Sequence, residues 1–195
     1  MHRFASIAGG MVIAILALAI AGVVYLRTTG LTTRAEPGVV ETRLARSARA
    51  LAIPAAARER TNPVARTPEA LAEGMAHFAD HCASCHANDG SGNTELGQGF
   101  YPKAPDMRLP ATQGLTDGEL FYIIENGIRF TGMPAWGTGT PEGEASSWSL
   151  VQFIRHLPGL TIDEVARMES LNPRPPAEIR RQIEEERFLA GEPVP

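Results

Sequence analysis

The 195-residue sequence is poor in cysteine and in aromatic residues. Its two cysteines, Cys82 and Cys85, stand three positions apart, so no disulfide can link distant segments of the chain. A closed zinc site needs a second pair of ligands, which the chain does not supply at the usual spacing. The cellular compartment therefore has to be inferred from features other than disulfides.

Residues 4–26 lack charged side chains and consist mainly of Ala, Ile, Val and Leu. A helix of that length can cross a hydrocarbon core of about 30 Å. A cleaved signal peptide is the alternative, because Ala19-Ile20-Ala21 resembles a small-residue cleavage site. The apolar run continues through Tyr25 to Arg27, which favours an uncleaved signal anchor over residues 1–26.

Acidic residues are scarce in the segment that follows the apolar run, and basic residues are scarce in the segment after that. Residues 27–65 carry seven Arg and three Glu, whereas residues 66–160 carry five basic and eleven acidic residues. An acidic segment binds nucleic acid poorly, so we expect no nucleic-acid partner. The same charge suits docking to a basic protein surface.

Residues 27–66 form a linker arm without aromatic side chains. Glu41 to Ile53 has helical spacing, and Pro54 ends it. A free coil of this length would span about 35 Å, whereas a helix packed on the following domain would shorten that reach. The sequence leaves both alternatives open.

The sequence Cys82-Ala83-Ser84-Cys85-His86 carries the chemistry. Two thiols at this spacing can each add to a haem vinyl group, and the histidine that follows can ligate the iron. A redox dithiol of the thioredoxin type would follow a strand, whereas the residues before Cys82 have helical spacing. The motif predicts covalent haem attachment.

Start signals and apolar spacing predict helices at 67–82, 116–126 and 144–156, and hence an all-α fold. Gly74 lies inside the first helix and predicts a close helix crossing. Residues 87–114 are rich in Gly and Pro. So long an irregular stretch is reasonable when it wraps a large apolar cofactor.

A C-terminal extension follows at 159–195. Thr161 is expected to cap a short helix to about Leu171, and residues 177–189 can form another. The acidic run 184–186 is either a solvated face or a docking site.

The order of helix, haem motif, proline-rich loop, helix, Gly132-Met133-Pro134 and terminal helix resembles class I monohaem cytochrome c of the membrane-anchored bacterial type. The resemblance covers residues 67–158. It implies a small cytochrome c helical fold wrapped around one covalent haem c, with the N-terminal transmembrane helix and the C-terminal helical extension outside it.

The resemblance also assigns roles to single residues. Cys82 and Cys85 would form the thioethers, His86 would be the proximal ligand and Met133 the distal ligand. The second ring nitrogen of His86 would donate to a proline carbonyl, with Pro105 as the first choice.

Further assignments and alternatives concern neighbouring residues. Arg129 and Trp136 are expected to bind the haem propionates. Pro102 is the second choice for the proline carbonyl, and Met107 is expected to pack at the haem edge. His156 could replace Met133 as a ligand, Met133 could be a core residue, and His77 with His81 could hold a metal.

Two protein axial ligands leave no open coordination site, so the resemblance implies single-electron transfer without enzymatic activity. The expected place is the bacterial cytoplasmic (inner) membrane, crossed once, with the haem domain in the periplasm. Expected partners are a quinol-oxidising complex or a dehydrogenase on one side and a terminal oxidase or reductase on the other. The alternatives are a haem subunit of a larger oxidoreductase complex and a small haem peroxidase or gas-binding protein.

Overall fold

A computed structural model describes residues 2–174 and 176–190. The described residues form helices joined by loops and contain no strand, which confirms the all-α prediction. The chain divides into two compact units, Met1–Glu36 and Pro37–Pro195.

The first unit is dominated by helix α1, His2–Thr29. The stretch Gly9–Thr29 is apolar and 21 residues long, and none of it is buried. At 1.5 Å per residue it measures about 32 Å, which is enough to cross a bilayer core.

The second unit begins with α2, Val39–Ala52, and α3, Ala55–Arg58. The helix predicted from Glu41 to Ile53 is thus confirmed. Ile53, between the two helices, is only 4% exposed. Burial of this side chain shows that the end of the arm is part of the folded unit.

Two longer helical segments form the centre of the second unit. The first runs through α4, Pro68–His77, a π-helical turn, Phe78–Cys82, and α5, Ala83–His86. The second is α9, Pro141–His156.

These segments cross at Gly74, where a Cβ atom would clash with the Ser149 backbone and with Phe153. The crossing predicted from this glycine is confirmed. Beside it, the Phe78 and Phe153 rings lie 5.2 Å apart.

The connection between the motif and the next long helix contains α6, Glu95–Gly99, and α7, Pro110–Gln113. Helix α8 then spans Asp117–Asn126, with the capping box that the sequence predicts at Thr116 and Glu119. Its Phe121 ring stacks on Trp148 of α9 at 4.1 Å. This stack joins α8 to the centre of the core.

The last part of the arm packs on the same core. The Asn62 side chain donates to the Trp148 carbonyl at 2.9 Å, and Gln152 donates to the Val64 carbonyl at 2.8 Å. The Arg60 guanidinium lies 4.3 Å from the centre of the Phe121 ring. Of the two alternatives for the arm, packing therefore applies to its C-terminal part.

The chain continues past α9 through a 3₁₀ turn, Leu157–Gly159, into α10, Ile162–Glu169. Thr161 caps α10 as predicted. Met168 is fully buried in the core, so packing does not stop at position 158. Helix α11, Pro176–Leu189, is the last described element.

Candidate haem site

The motif lies at the end of the helical segment that starts at α4. Thr67 caps this segment by accepting a hydrogen bond from the Ala70 backbone N–H. The turn Phe78–Cys82 is π-helical, a wider turn that often marks functional sites. No start, stop or spacing signal in the sequence predicts this turn.

The two cysteines are free thiols, so both are available for thioether bonds. Cys82 is buried and Cys85 is partly exposed. Burial raises the pKa of the Cys82 thiol to about 12, and the neighbouring Cys85 adds to the shift. A thiol with so high a pKa is a poor redox nucleophile in the folded protein, which disfavours the dithiol alternative.

His86 ends α5 and is 7% exposed. Burial lowers the pKa of its imidazole, and the Pro105 carbonyl, which faces the ring, offsets part of that effect. Nδ1 of His86 is buried and has no hydrogen-bond partner among the described residues. A neutral buried imidazole with this orientation suits metal ligation.

The backbone next to the motif is tightly packed. The Cys85 carbonyl accepts a hydrogen bond from the Thr94 hydroxyl at 3.1 Å, and the His86 carbonyl accepts one from the Gly92 N–H at 2.8 Å. A Cβ atom at Gly97 would clash with the Cys85 carbonyl. The loop after the motif is thereby fixed against α5.

The proline-rich part of that loop is held by charge and by backbone bonds. Arg108 pairs with Asp106 at 2.7 Å and with Asp89 at 3.0 Å. The Met107 N–H donates to the Gly90 carbonyl at 2.8 Å. These contacts fix the segment that carries Pro105.

Met133 lies in a loop that folds back on α8. Its carbonyl accepts from the Ile128 N–H at 3.1 Å, and its own N–H donates to the Thr131 hydroxyl at 3.1 Å. The adjacent Gly132 lies against the Phe100 ring, where a Cβ atom would clash. The Met133 side chain is half-buried and held in a defined loop.

The two residues predicted to bind propionates have different surroundings. The Trp136 ring is half-buried and meets the His81 ring edge-on at 5.1 Å. Arg129 is exposed. Trp136 is therefore brought to the helix that carries the motif, whereas no described contact places Arg129 there.

The other histidines have neighbours of their own. His156 Nε2 pairs with the Glu164 carboxylate at 2.8 Å, which disfavours it as a replacement for Met133. His77 Nδ1 lies 2.9 Å from the Ser146 hydroxyl, and its ring is 5.0 Å from that of His81. Among the described residues, no group of three or more His, Cys, Asp or Glu side chains could hold a metal ion.

The residues present fit a covalent haem. Two free thiols and a buried imidazole with an unpartnered nitrogen lie in consecutive turns. Pro105 is brought to His86, and the Met133 loop is ordered. The individual roles of Cys82, Cys85, His86, Met133, Pro105, Arg129 and Trp136 stay predictions.

The comparison with protein families gives one match. Residues 69–154 match the family model described as "Cytochrome C oxidase, cbb3-type, subunit III". No curated protein matches the chain. The match begins in α4 and ends in α9, and it includes the motif and the Met133 loop.

Proposed function

Residues 69–154 form a monohaem cytochrome c domain with covalently bound haem c, and on this premise we propose that the chain is a membrane-tethered carrier of single electrons. Helix α1 would anchor it in the bacterial cytoplasmic membrane, with the haem domain in the periplasm. The electron would come from a quinol-oxidising complex or a dehydrogenase and pass to a terminal oxidase or reductase.

The observation that carries this proposal is the environment of His86. The ring is almost fully buried, burial lowers its pKa, and the Pro105 carbonyl lies near it, which would suit His86 as a permanent ligand. When bound, the haem supplies a centre that takes up and releases one electron. Cys82 and Cys85 would hold it covalently, and Met133 would close the other side.

The fixed surroundings of the site support electron transfer over substrate chemistry. The loop after the motif is bonded to the Cys85 and His86 carbonyls, and the Met133 loop is closed by its own backbone. When the residues around the haem keep their positions, the reorganisation energy of electron transfer stays small. A small peroxidase or gas-binding protein would instead need a labile Met133.

The covalent attachment is tested by substitution of single motif residues. In Cys82→Ala, one of the two thioethers is lost, and we expect haem staining of the denatured protein on a gel to fall. In Cys82→Ala/Cys85→Ala both are lost, and staining should disappear. Ser84→Ala is the matched control, since Ser84 lies inside the motif but is exposed and supplies no thiol. Normal staining of the denatured Cys82→Ala variant would overturn covalent attachment through this residue.

A second candidate function is favoured by the family match, whose description names an oxidase subunit. In this alternative the chain would pass electrons inside a larger complex instead of exchanging partners. Purification of the whole chain from native membranes in mild detergent distinguishes the two. Stoichiometric recovery with other haem-containing chains would favour the subunit, and recovery alone would favour the carrier.

A further inference from the structure

Helix α2 has an apolar stripe that lies in solvent. Val40, Leu44 and Leu51 are 71%, 66% and 86% exposed, and no residue of α2 is buried. At 100° per residue, the three side chains project within about 40° of one another around the helix axis. They form one narrow stripe, which we call the α2 stripe.

The opposite side of α2 is basic and faces the haem domain. Arg46 and Arg49 lie about 120–180° away from the α2 stripe, and Arg43 lies on its flank, about 60–100° away. Arg49 is half-buried: burial and the neighbouring Arg46 lower its pKa, and Glu119 of α8 raises it. The domain therefore lies on the arginine side of α2, and the α2 stripe points away from the domain.

The length of the chain keeps α2 close to the anchor. Residues 30–38 join Thr29, the end of α1, to Val39, the start of α2. Ten residue steps span at most about 36 Å, and a bent chain spans less. If α1 crosses a bilayer, α2 starts within reach of its surface.

We propose that α2 lies along the surface of an anionic bilayer, with the α2 stripe buried among the lipid headgroups. The inference rests on the membrane anchoring proposed above. A helix with an apolar stripe, an arginine-rich opposite side and low overall hydrophobicity is the kind that binds in the membrane interface. Arg43, on the flank of the α2 stripe, can extend to lipid phosphates while its stem covers apolar surface.

A protein partner could also cover the α2 stripe, but two observations favour lipid. The connection to α1 is short enough for α2 to reach the bilayer, and residues 27–65 carry seven Arg against three Glu. Because Ile53 and Asn62 tie the end of the arm to the domain, a membrane-bound α2 would hold the domain near the bilayer. The carrier would then search for partners along the membrane surface.

The test uses the full haem-loaded chain in liposomes of phosphatidylcholine and phosphatidylglycerol, with and without brominated acyl chains. A tryptophan replaces Leu44 in the α2 stripe or, as the matched control, Ala50, which is exposed about 120° away. Wild-type fluorescence from Trp136 and Trp148 is subtracted. The ratio of the tryptophan emission in brominated liposomes to that in liposomes without bromine cancels constant quenching by the haem.

We expect bromine to lower the emission of the Leu44→Trp variant about twofold and that of Ala50→Trp much less, because the stripe of such a helix lies 5–10 Å deep, on the order of a headgroup layer. Omission of phosphatidylglycerol should reduce the quenching of Leu44→Trp.

Equal quenching at both positions, or none at Leu44→Trp in liposomes that carry the protein, would overturn the proposal. Protection of Leu44→Trp from iodide in native membranes without bromine quenching would assign the stripe to a protein partner. Flotation of the chain with liposomes reports the α1 anchor, and haem staining reports the cofactor. Failure of α2 binding is thus distinct from failure of the proposed function.

Discussion

At the scale of single residues, an unusual backbone conformation lies directly after His86. Ala87 has φ +60° and ψ 157°, a combination that residues other than glycine rarely adopt. Such a conformation costs on the order of 1–3 kcal/mol and persists only where the surroundings impose it. Here the Ala87 N–H is bonded to the Ala83 carbonyl, and the Gly90 N–H is bonded to the Ala87 carbonyl. These two hydrogen bonds hold the turn that follows His86.

The ion pair of Asp106 and Arg108 gives a prediction for acid stability. The hydrogen bond from Arg108 lowers the pKa of Asp106 below its ordinary value of 3.8. A carboxylate with a lowered folded-state pKa stabilises the protein above its ordinary pKa, and that contribution is lost as the pH falls through the folded-state pKa. The Arg108→Gln variant should therefore lose more thermal stability at about pH 5 than at about pH 3.

The size of this effect should be modest, since the pair is partly exposed and such pairs contribute less than about 1 kcal/mol. The measurement is the thermal midpoint of the wild type and the variant at both pH values. Arg66→Gln, at an exposed position before α4, is the control for loss of one positive charge. A larger loss at the lower pH would contradict the assigned direction.

At the scale of elements, α10 belongs to the haem domain and is not a separate appendage. Met168 is 0% exposed in the cluster that contains Phe78 and Leu157. The His156–Glu164 pair joins the start of α10 to the end of α9. The Asn172 side chain, with its amide oriented to satisfy its neighbours, bonds to the Ala79 carbonyl beside the motif.

We expect Met168→Ala to lower the free energy of unfolding by about 2–4 kcal/mol, because it removes a buried side chain and leaves a cavity. Ile162→Ala is the matched control on the same helix, where the side chain is 87% exposed. Its effect should be about 0.5 kcal/mol or less. Chemical denaturation of both variants measures the difference, and equal losses would show that α10 does not depend on this contact.

Local signals in the sequence were sufficient to predict the helices that begin with a capping side chain. Thr116 with Glu119, Thr161 and Thr67 each start a helix as predicted, because a side-chain cap acts within four residues. Helix α9 begins three residues before the predicted Glu144, at Pro141 after the Thr140 cap. The apolar spacing used for that prediction starts later than the cap.

Long-range contacts were not predictable from local pattern. The arm is held by the Asn62 side chain, which donates to a backbone carbonyl of α9, and by the Val64 backbone carbonyl, which accepts from Gln152 of α9. Such bonds leave no periodic signal. The burial of Met168 likewise depends on a surface that α4 and α9 build together. At the site, the motif identified the thiols and His86, but the Phe100 contact with Gly132 required the folded loop.

At the scale of the whole molecule, acidic and basic residues are concentrated in different segments of the chain. Residues 66–160 carry eleven acidic and five basic residues, whereas the arm before them is basic. At an ionic strength of 0.1 M, salt largely screens the attraction between exposed charges that are more than about 10 Å apart. A basic redox partner would be drawn to the acidic segment and not to the arm.

Electron exchange with a basic redox protein should therefore slow as ionic strength rises, because steering by charge increases the association rate. Stopped-flow reduction of the detergent-solubilised chain measures the second-order rate constant. An uncharged quinol as reductant is the control and should show little dependence on salt. A rate that rises with salt would indicate that the basic arm, or another surface, contacts the partner.

The central claim is that His86 and Met133 close the haem on both sides for electron transfer. The most direct measurement is the optical spectrum of the detergent-purified chain and its Met133→Ala variant, with carbon monoxide added to each reduced form. We expect a weak far-red methionine-to-iron band in the oxidised wild type only, and carbon monoxide binding in the variant only. Carbon monoxide binding by the wild type would contradict the claim and favour a gas-binding or peroxidase function.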